Sequence, residues 1–326
     1  MTKTNFRKIA KEVIEVEIQS LKKLKKNINS SFDKVVNTIN NCKNGKVIIS
    51  GVGKSGIIAK KIASTLSSVG TPSFFVDASS CSHGDLGKIS SNDILILISF
   101  SGETTELKNI IQYANRNKKI TLIGVVSKKN SLLYKTADIK LLIPEVKEAG
   151  PGNIVPTSST IVQLAIGDAI AIAAMKHKKF SHLDFKKFHP SGSLGLKLKT
   201  VGDLMLTGTK IPFVNENKKM KEALKIISKK KLGILIALNA KKKTTGIITD
   251  GQVRRASSTN SNFQNLIVKK IMTKKPIGVK QDVLAAKALA LMNNKKITSL
   301  CVYSDKKKYK TIGILHIHNI LKANVH

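Results

Sequence analysis

The sequence predicts an α/β protein, a five-stranded parallel sheet with helices on both faces followed by two smaller α/β units. Three observations carry that prediction. Five short apolar runs alternate with intervals of helical periodicity between residues 46 and 143. The first run leads straight into a glycine turn, "GVGKSG", and then into the helical pattern "IIAKKIASTL". From about residue 198 the texture changes and an internal repeat begins, "VGDLM" at 201–205 being answered by "VKKIM" at 268–272.

Taken in order, residues 1–45 form an N-terminal helical segment, because Ile9, Val13, Val16, Ile18, Leu21, Leu24 and Ile28 recur at helical spacing. Their charged neighbours suit a helix packed on its own domain or on a sister subunit, not a membrane helix or a secretory signal. The strands of the next domain, 46–197, are "KVIIS" (46–50), "SFFVD" (73–77), "ILILIS" (94–99), "ITLIGVV" (120–126) and "IKLLI" (139–143). "PTSST" opens a long helix for which Thr157 is the expected cap. The apolar stretch Ala165–Met175 inside that helix is interrupted by Asp168 and is too short to span a bilayer, so it reads as a core helix. Each repeat, 201–260 and 268–326, reads as a short helix, a strand, a helix, two strands and a helix.

Composition narrows the function classes. The net charge of +37 would draw the chain towards polyanions, yet only four of its 57 basic residues are arginine and aromatics are 4%. Arginine forks and stacking aromatics are what nucleic-acid readers use, and the basic excess is spread over both parts of the chain. We therefore expect no nucleic-acid partner. Cys42, Cys81 and Cys301 make neither a ligand pair nor a disulfide framework, which suits a reducing cytoplasm.

The chemistry-bearing segments are loops that follow predicted strands. Gly51–Gly56 has the G-x-G-x-x-G spacing of a dinucleotide turn, and Asp77 stands about 20 residues further on, where a ribose-binding carboxylate would be. A Walker loop is excluded, because Ile48 occupies its first glycine position. After the third strand comes "SFSGETTE", whose Ser99, Ser101 and Thr104 hydroxyls beside a helix N-terminus make a compact site for a phosphate monoester. "PTSST" (Thr157, Ser158, Ser159) adds a third hydroxyl cluster. One such loop is ordinary helix capping; three at strand-to-helix turns point to a sugar phosphate and away from a dinucleotide.

"GVGKSG", "TPSFFVDASSCSHGDLG", "SFSGETTE", "KEAGPGNIVPTSST", "GDAIAIAAM" and "FHPSGSLG", in this order and followed by the repeats, resemble the arabinose-5-phosphate isomerase family, enzymes with a sugar isomerase (SIS) domain. The repeats resemble a tandem pair of cystathionine-β-synthase (CBS) domains, which often bind adenine nucleotides. The resemblance implies catalytic roles for Lys54, Glu106, Glu148 and His189, and substrate contacts from Gly53, Ser55 and His83 as well as from the hydroxyl loops. Asp77 is then a structural residue at a strand end. It implies interconversion of D-ribulose 5-phosphate and D-arabinose 5-phosphate, a step towards Kdo and lipopolysaccharide, in a cytoplasmic homotetramer with sites between subunits.

The residue types suit that reaction. An aldose–ketose shift moves a proton between C1 and C2 through an enediolate and another between oxygens, so it needs a carbon base, a group serving the oxygens and a cation. Lys54 supplies the cation. Glu148, in a loop with no evident helix dipole to depress its pKa, and His189 are both candidates for the carbon base; Glu106, in a first helical turn, suits orienting a group or moving protons between oxygens. No cofactor and no metal is required, although adventitious zinc at His83 and His189 would not be surprising. Ser191 replaces a family glycine next to His189, and Gly150 replaces a family cysteine. In the CBS units Gln252 and Asn319 stand where ribose-binding modules carry an aspartate, which argues against nucleotide binding and for an architectural role. Competing readings are an isomerase of another phosphosugar, a non-catalytic sugar-phosphate sensor and, last, a dehydrogenase.

Overall fold

The computed structural model describes residues 5–189, 192–304 and 307–325. The chain divides into two units after Phe188.

The first unit opens with two helices, α1 (Phe6–Asn27) and α2 (Ser30–Asn41), each begun by an asparagine. Asn5 Oδ1 accepts from Lys8 N at 3.1 Å and Asn29 Oδ1 from Ser31 N at 2.9 Å, satisfying amides that no helical carbonyl can reach. The α/β layer follows as β1 (Val47–Gly51), α3 (Gly53–Ser68), β2 (Ser73–Phe75), α4 (Ala78–Cys81), β3 (Ile94–Ile98), α5 (Lys108–Arg116), β4 (Thr121–Val126), α6 (Leu132–Thr136), β5 (Ile139–Leu142) and α7 (Ser158–His177). The short helix α8 (His182–Phe188) ends the unit. All five strands are parallel, in the order β2-β1-β3-β4-β5. The central β1 and β3 are buried along their whole length, which is why they read as unbroken apolar runs.

Alternate residues of each strand feed two separate cores. Val47, Ile49, Ile94 and Ile96 pack against α3, α7 and α2, while Ile48, Leu95 and Leu97 pack against α4, α5 and α6. The helix α7 is long and apolar enough to cross a membrane by length and composition, but half of its apolar window is buried within the unit. Val162, Ile166, Ile170 and Ala174 place it in the first of the two cores, as expected of a core helix. By contrast α1 buries only Ser20 and Leu24, and Phe6, Ile9, Ile14 and Ile18 lie exposed along it.

The second unit begins with α9 (Gly192–Lys197), and its first repeat comprises α10 (Val201–Leu204), β6 (Leu206–Thr207), β7 (Phe213–Asn215), α11 (Met220–Lys230), β8 (Ile234–Leu238), β9 (Thr244–Thr249) and α12 (Asp250–Thr259). The second repeat supplies α13 (Val268–Ile271), β10 (Thr273–Lys274), β11 (Gly278–Lys280), α14 (Ala285–Lys295), β12 (Ser299–Ser304), β13 (Lys307–His316) and α15 (Ile317–Lys322). The two four-stranded sheets run β10-β9-β8-β7 and β11-β12-β13-β6. Each repeat thus lends its first short strand to the sheet of the other, a feature the repeat pattern did not foretell because a two-residue strand has no readable periodicity. Ile211, Ile234, Ile236, Cys301 and Ile314 form the apolar seam between the repeats. Thr244 and Thr311 share a buried hydrogen bond of 2.7 Å across it.

Candidate active site

The strand order places the switch between β1 and β3, the two strands from which chains depart in opposite directions, and in such sheets ligands bind beyond the carboxyl ends at that point. Gly51 is paired with Ile98, so the loops after β1 and β3 start side by side. Both glycines that shape the first loop are required. Gly53 has φ +59°, and a Cβ on Gly56 would lie 2.7 Å from the carbonyl oxygen of Gly51. A tight turn results, with Gly53, Lys54 and Ser55 forming the first turn of α3. Lys54 is exposed, and among the described residues no salt bridge or side-chain hydrogen bond engages it. A pocket of about 190 Å³ on the β2 side of this turn is lined by Gly53, Ile57, Lys60, Phe75, Asp77 and Ser79. Asp77 caps α4, accepting from Ser79 N at 2.8 Å, which is the structural role expected of it.

The loop after β3 is pre-shaped by its own hydroxyls. Ser99 Oγ lies 2.8 Å from Thr104 Oγ1 and accepts from Gly102 N at 3.0 Å, while Ser101 Oγ accepts from Glu103 N at 3.2 Å. Ser99 is buried and Ser101 exposed. Glu106 is exposed in a single 3₁₀ turn, Thr105–Leu107, that runs directly into α5. Two braces of this loop escaped the sequence reading. Ser127 donates from its hydroxyl to Phe100 O at 2.7 Å, and Glu103 Oε1 accepts from Leu132 N at 2.8 Å. Position alone could have suggested Ser127, which directly follows β4.

The structure corrects the reading of Glu148 and Thr157. Glu148 is not remote from a helix dipole: its Oε2 accepts from Thr157 N at 2.8 Å and from Ser159 N at 3.2 Å, at the N-terminus of α7. The carboxylate, not Thr157, is the cap. Thr157 makes no side-chain cap bond; its hydroxyl donates to Glu148 at 3.1 Å and accepts from Ala149 N at 2.9 Å. Burial pushes the Glu148 carboxyl up, but hydrogen bonds from Ser159 and Thr157 outweigh it and hold the group below the usual carboxylate range. Asn153 in turn accepts from the Glu148 amide. The third hydroxyl cluster is therefore engaged with Glu148, and Ser158 is fully buried with no partner for its hydroxyl.

His83 is exposed, between α4 and Gly84. Cys81 beneath it is no nucleophile: burial, with Asp85 and Asp77 adding, pushes its thiol up to about 11. His189 is half-buried and is the first residue of the second unit. Ser191, whose effect on the His189 loop the sequence raised, lies outside the described residues. Among the described residues, no group of three or more His, Cys, Asp or Glu side chains could hold a metal ion. Lys54, Ser99, Ser101, Thr104, Glu106, His83 and Glu148 all lie in segments that follow the carboxyl ends of strands of one sheet.

A glycine turn and a hydroxyl loop at the switch point of a five-stranded parallel sheet, joined to a strand-exchanged repeat, define a sugar-phosphate protein of the SIS class carrying a CBS pair. Residues 39–173 match the SIS domain family, and residues 201–259 and 268–326 each match the CBS domain family. The chain is 39% identical to the arabinose 5-phosphate isomerase KdsD of Yersinia pestis, over 98% of this chain and 97% of that one. It is 38% identical to KdsD of Escherichia coli over the same shares. A solved structure from E. coli CFT073, in complex with arabinose 5-phosphate, is 38% identical with a TM-score of 0.54, covering 58% of this chain and all of that one. The chain belongs to the arabinose 5-phosphate isomerase family, and it is a phosphosugar isomerase.

Proposed function

We propose that the protein interconverts D-ribulose 5-phosphate and D-arabinose 5-phosphate through an enediolate, in the cytoplasm, on the route to Kdo and lipopolysaccharide. The observation that carries this reading is the Ser99–Thr104 loop, whose hydroxyls and amides are already bonded into one compact turn beside the Gly51–Gly56 loop. The substrate phosphate binds Ser55, Ser99, Ser101 and Thr104, and Lys54 faces the negative charge that develops on the oxygens of the enediolate. Glu106 and His83 serve the sugar hydroxyls. Glu148 and His189 remain the two candidates for the carbon base. The depressed pKa of Glu148 leaves it ionised at neutral pH but makes it the weaker acceptor of a carbon-bound proton, which favours His189.

A homotetramer with sites between subunits fits the exposed apolar side of α1, where Phe6 is 76% and Ile14 55% exposed. Proton NMR of ribulose 5-phosphate turnover in D₂O tests the reaction. Arabinose 5-phosphate carrying deuterium at C2 is expected, with exchange abolished in His189→Ala and retained at a reduced rate in Glu148→Gln. Binding without isomerisation or solvent exchange would replace the reading with that of a sugar-phosphate sensor.

A further inference from the structure

Glu148 sits at the entrance of a loop that closes on itself. The chain reverses through Gly152 and Asn153, whose φ values of 67° and 58° put two consecutive residues in left-handed backbone. Asparagine is among the few residues with a Cβ that enter that region readily. The reversal carries the chain back onto its own start, so that Thr157 and Ser159 meet Glu148 from nine and eleven residues further on.

Two successive amides at the entrance are taken up by side chains from further along the loop. Asn153 Oδ1 accepts from Glu148 N, and Thr157 Oγ1 accepts from Ala149 N at 2.9 Å. The same Thr157 oxygen donates its hydrogen to Glu148 Oε2 at 3.1 Å. A hydroxyl has one proton to give, so in this arrangement it is committed to the carboxylate while the oxygen faces an amide hydrogen. Thr157 thereby ties the Glu148 carboxylate to the backbone immediately beyond Glu148 itself.

The hydrogen bonds are also one-sided. Those from Thr157 N at 2.8 Å, Thr157 Oγ1 at 3.1 Å and Ser159 N at 3.2 Å all converge on Oε2, and none of the three falls on Oε1. Anchoring one oxygen from three directions fixes where the carboxylate lies and how it is rotated, and leaves the other oxygen for a partner from outside the loop. Two of the three donors are backbone amides at the start of α7; the hydroxyl is the donor that a substitution can remove without touching the main chain. We propose that Thr157 is a positioning residue for the isomerisation: its hydroxyl, held by the Ala149 amide, fixes the Glu148 carboxylate through Oε2 so that Oε1 meets the sugar, and Thr157 does not itself touch substrate. This role rests on Glu148 acting on the sugar, as proposed above.

Thr157→Val keeps the shape of the side chain and removes the hydroxyl; Thr157→Ser keeps the hydroxyl. Steady-state turnover of ribulose 5-phosphate by the full-length protein is expected to show kcat about tenfold lower in Thr157→Val, with KM within about twofold of the wild type. Thr157→Ser is expected to restore kcat. In a Glu148→Gln background Thr157→Val is expected to cost almost nothing further, because a residue that acts only through its neighbour loses its effect when that neighbour is changed. Carbon-13 NMR of the glutamate carboxyls, with the Glu148 signal assigned by its loss in Glu148→Gln, is expected to show Glu148 titrating at higher pH in Thr157→Val, since a hydrogen bond to its charged form is gone. If Thr157→Val melts early, Thr157→Ala carries the same comparisons. A raised KM with kcat unchanged, or an undiminished loss in the Glu148→Gln background, makes Thr157 a substrate contact and overturns the proposal. Unchanged turnover and titration in Thr157→Val overturn it as well, while an impaired Glu148→Gln leaves the proposed function standing. Wild-type turnover by Glu148→Gln takes Glu148 out of the reaction, and both the role of Thr157 and that part of the proposed function fall.

Discussion

The SIS unit and the CBS pair hold their polar groups in opposite ways. In the SIS loops several hydroxyls and carboxylates are already engaged within the fold: Ser99 with Thr104 and the Gly102 amide, Glu103 with the start of α6, Glu148 with the start of α7. In the cleft between the two CBS repeats Lys231, Arg255, Lys275 and Lys296 are left apart, with no salt bridge or side-chain hydrogen bond among the described residues. The first arrangement fixes geometry before substrate arrives, as a site that must act on a transition state requires. The second leaves a field with little fixed geometry.

Lys54 is an exception within the SIS loops, exposed and without a partner among the described residues in the first turn of α3, and it offers the sharpest way to break the contrast. Lys54→Met should lower kcat by about 10²- to 10³-fold, the usual loss when one group stabilising developing negative charge is removed. Its melting temperature should stay near that of the wild type, because the ammonium supports nothing in the folded protein. Steady-state kinetics and a thermal melt measure both. An equal drop in stability would mean that Lys54 is tied into the structure as firmly as its neighbours are.

Glu148 sharpens the contrast from the other side, since its carboxylate is tied down. Glu148→Gln replaces charge-assisted bonds to the Thr157 and Ser159 amides with neutral ones, and should cost about 1 kcal/mol, the low end for such bonds because solvent reaches the group. The folded-state pKa is depressed, so the wild-type advantage is fully present above the ordinary carboxylate pKa of about 4.3. It is lost as pH falls through the depressed folded value. Melting curves of both proteins from pH 7 to pH 3 should show a gap that closes on the acid side; a gap independent of pH would remove the carboxylate from the account.

What was legible in the sequence follows from what each feature depends on. The five strands could be read because strands covered on both faces must be continuous apolar runs, and β1 and β3 are buried throughout. The Gly51–Gly56 turn and the Ser99–Thr104 loop could be read because their bonding is local, within a few residues. The cap of α7 could not, since Glu148 lies nine residues before Thr157 and only the folded loop brings them together. The strand exchange between the repeats was hidden for the same reason: β6 pairs with β13, about a hundred residues away, through a register that no local pattern encodes.

The smallest of these effects tests whether the repeats have turned ligand positions into structural ones. Gln252 closes a reciprocal cap at the start of α12 with Thr249 and reaches Thr273, so one side chain ties β9, α12 and the exchanged strand β10 together. Asn319 closes the matching cap with His316 in the second repeat, which shows that the position does the same work twice. Gln252→Ala should therefore cost about 1 kcal/mol of stability, the ordinary loss for a broken cap, with turnover unchanged. If it instead left the melting temperature untouched, Gln252 would not be holding the cap, and the reading of this position as a structural one would fail.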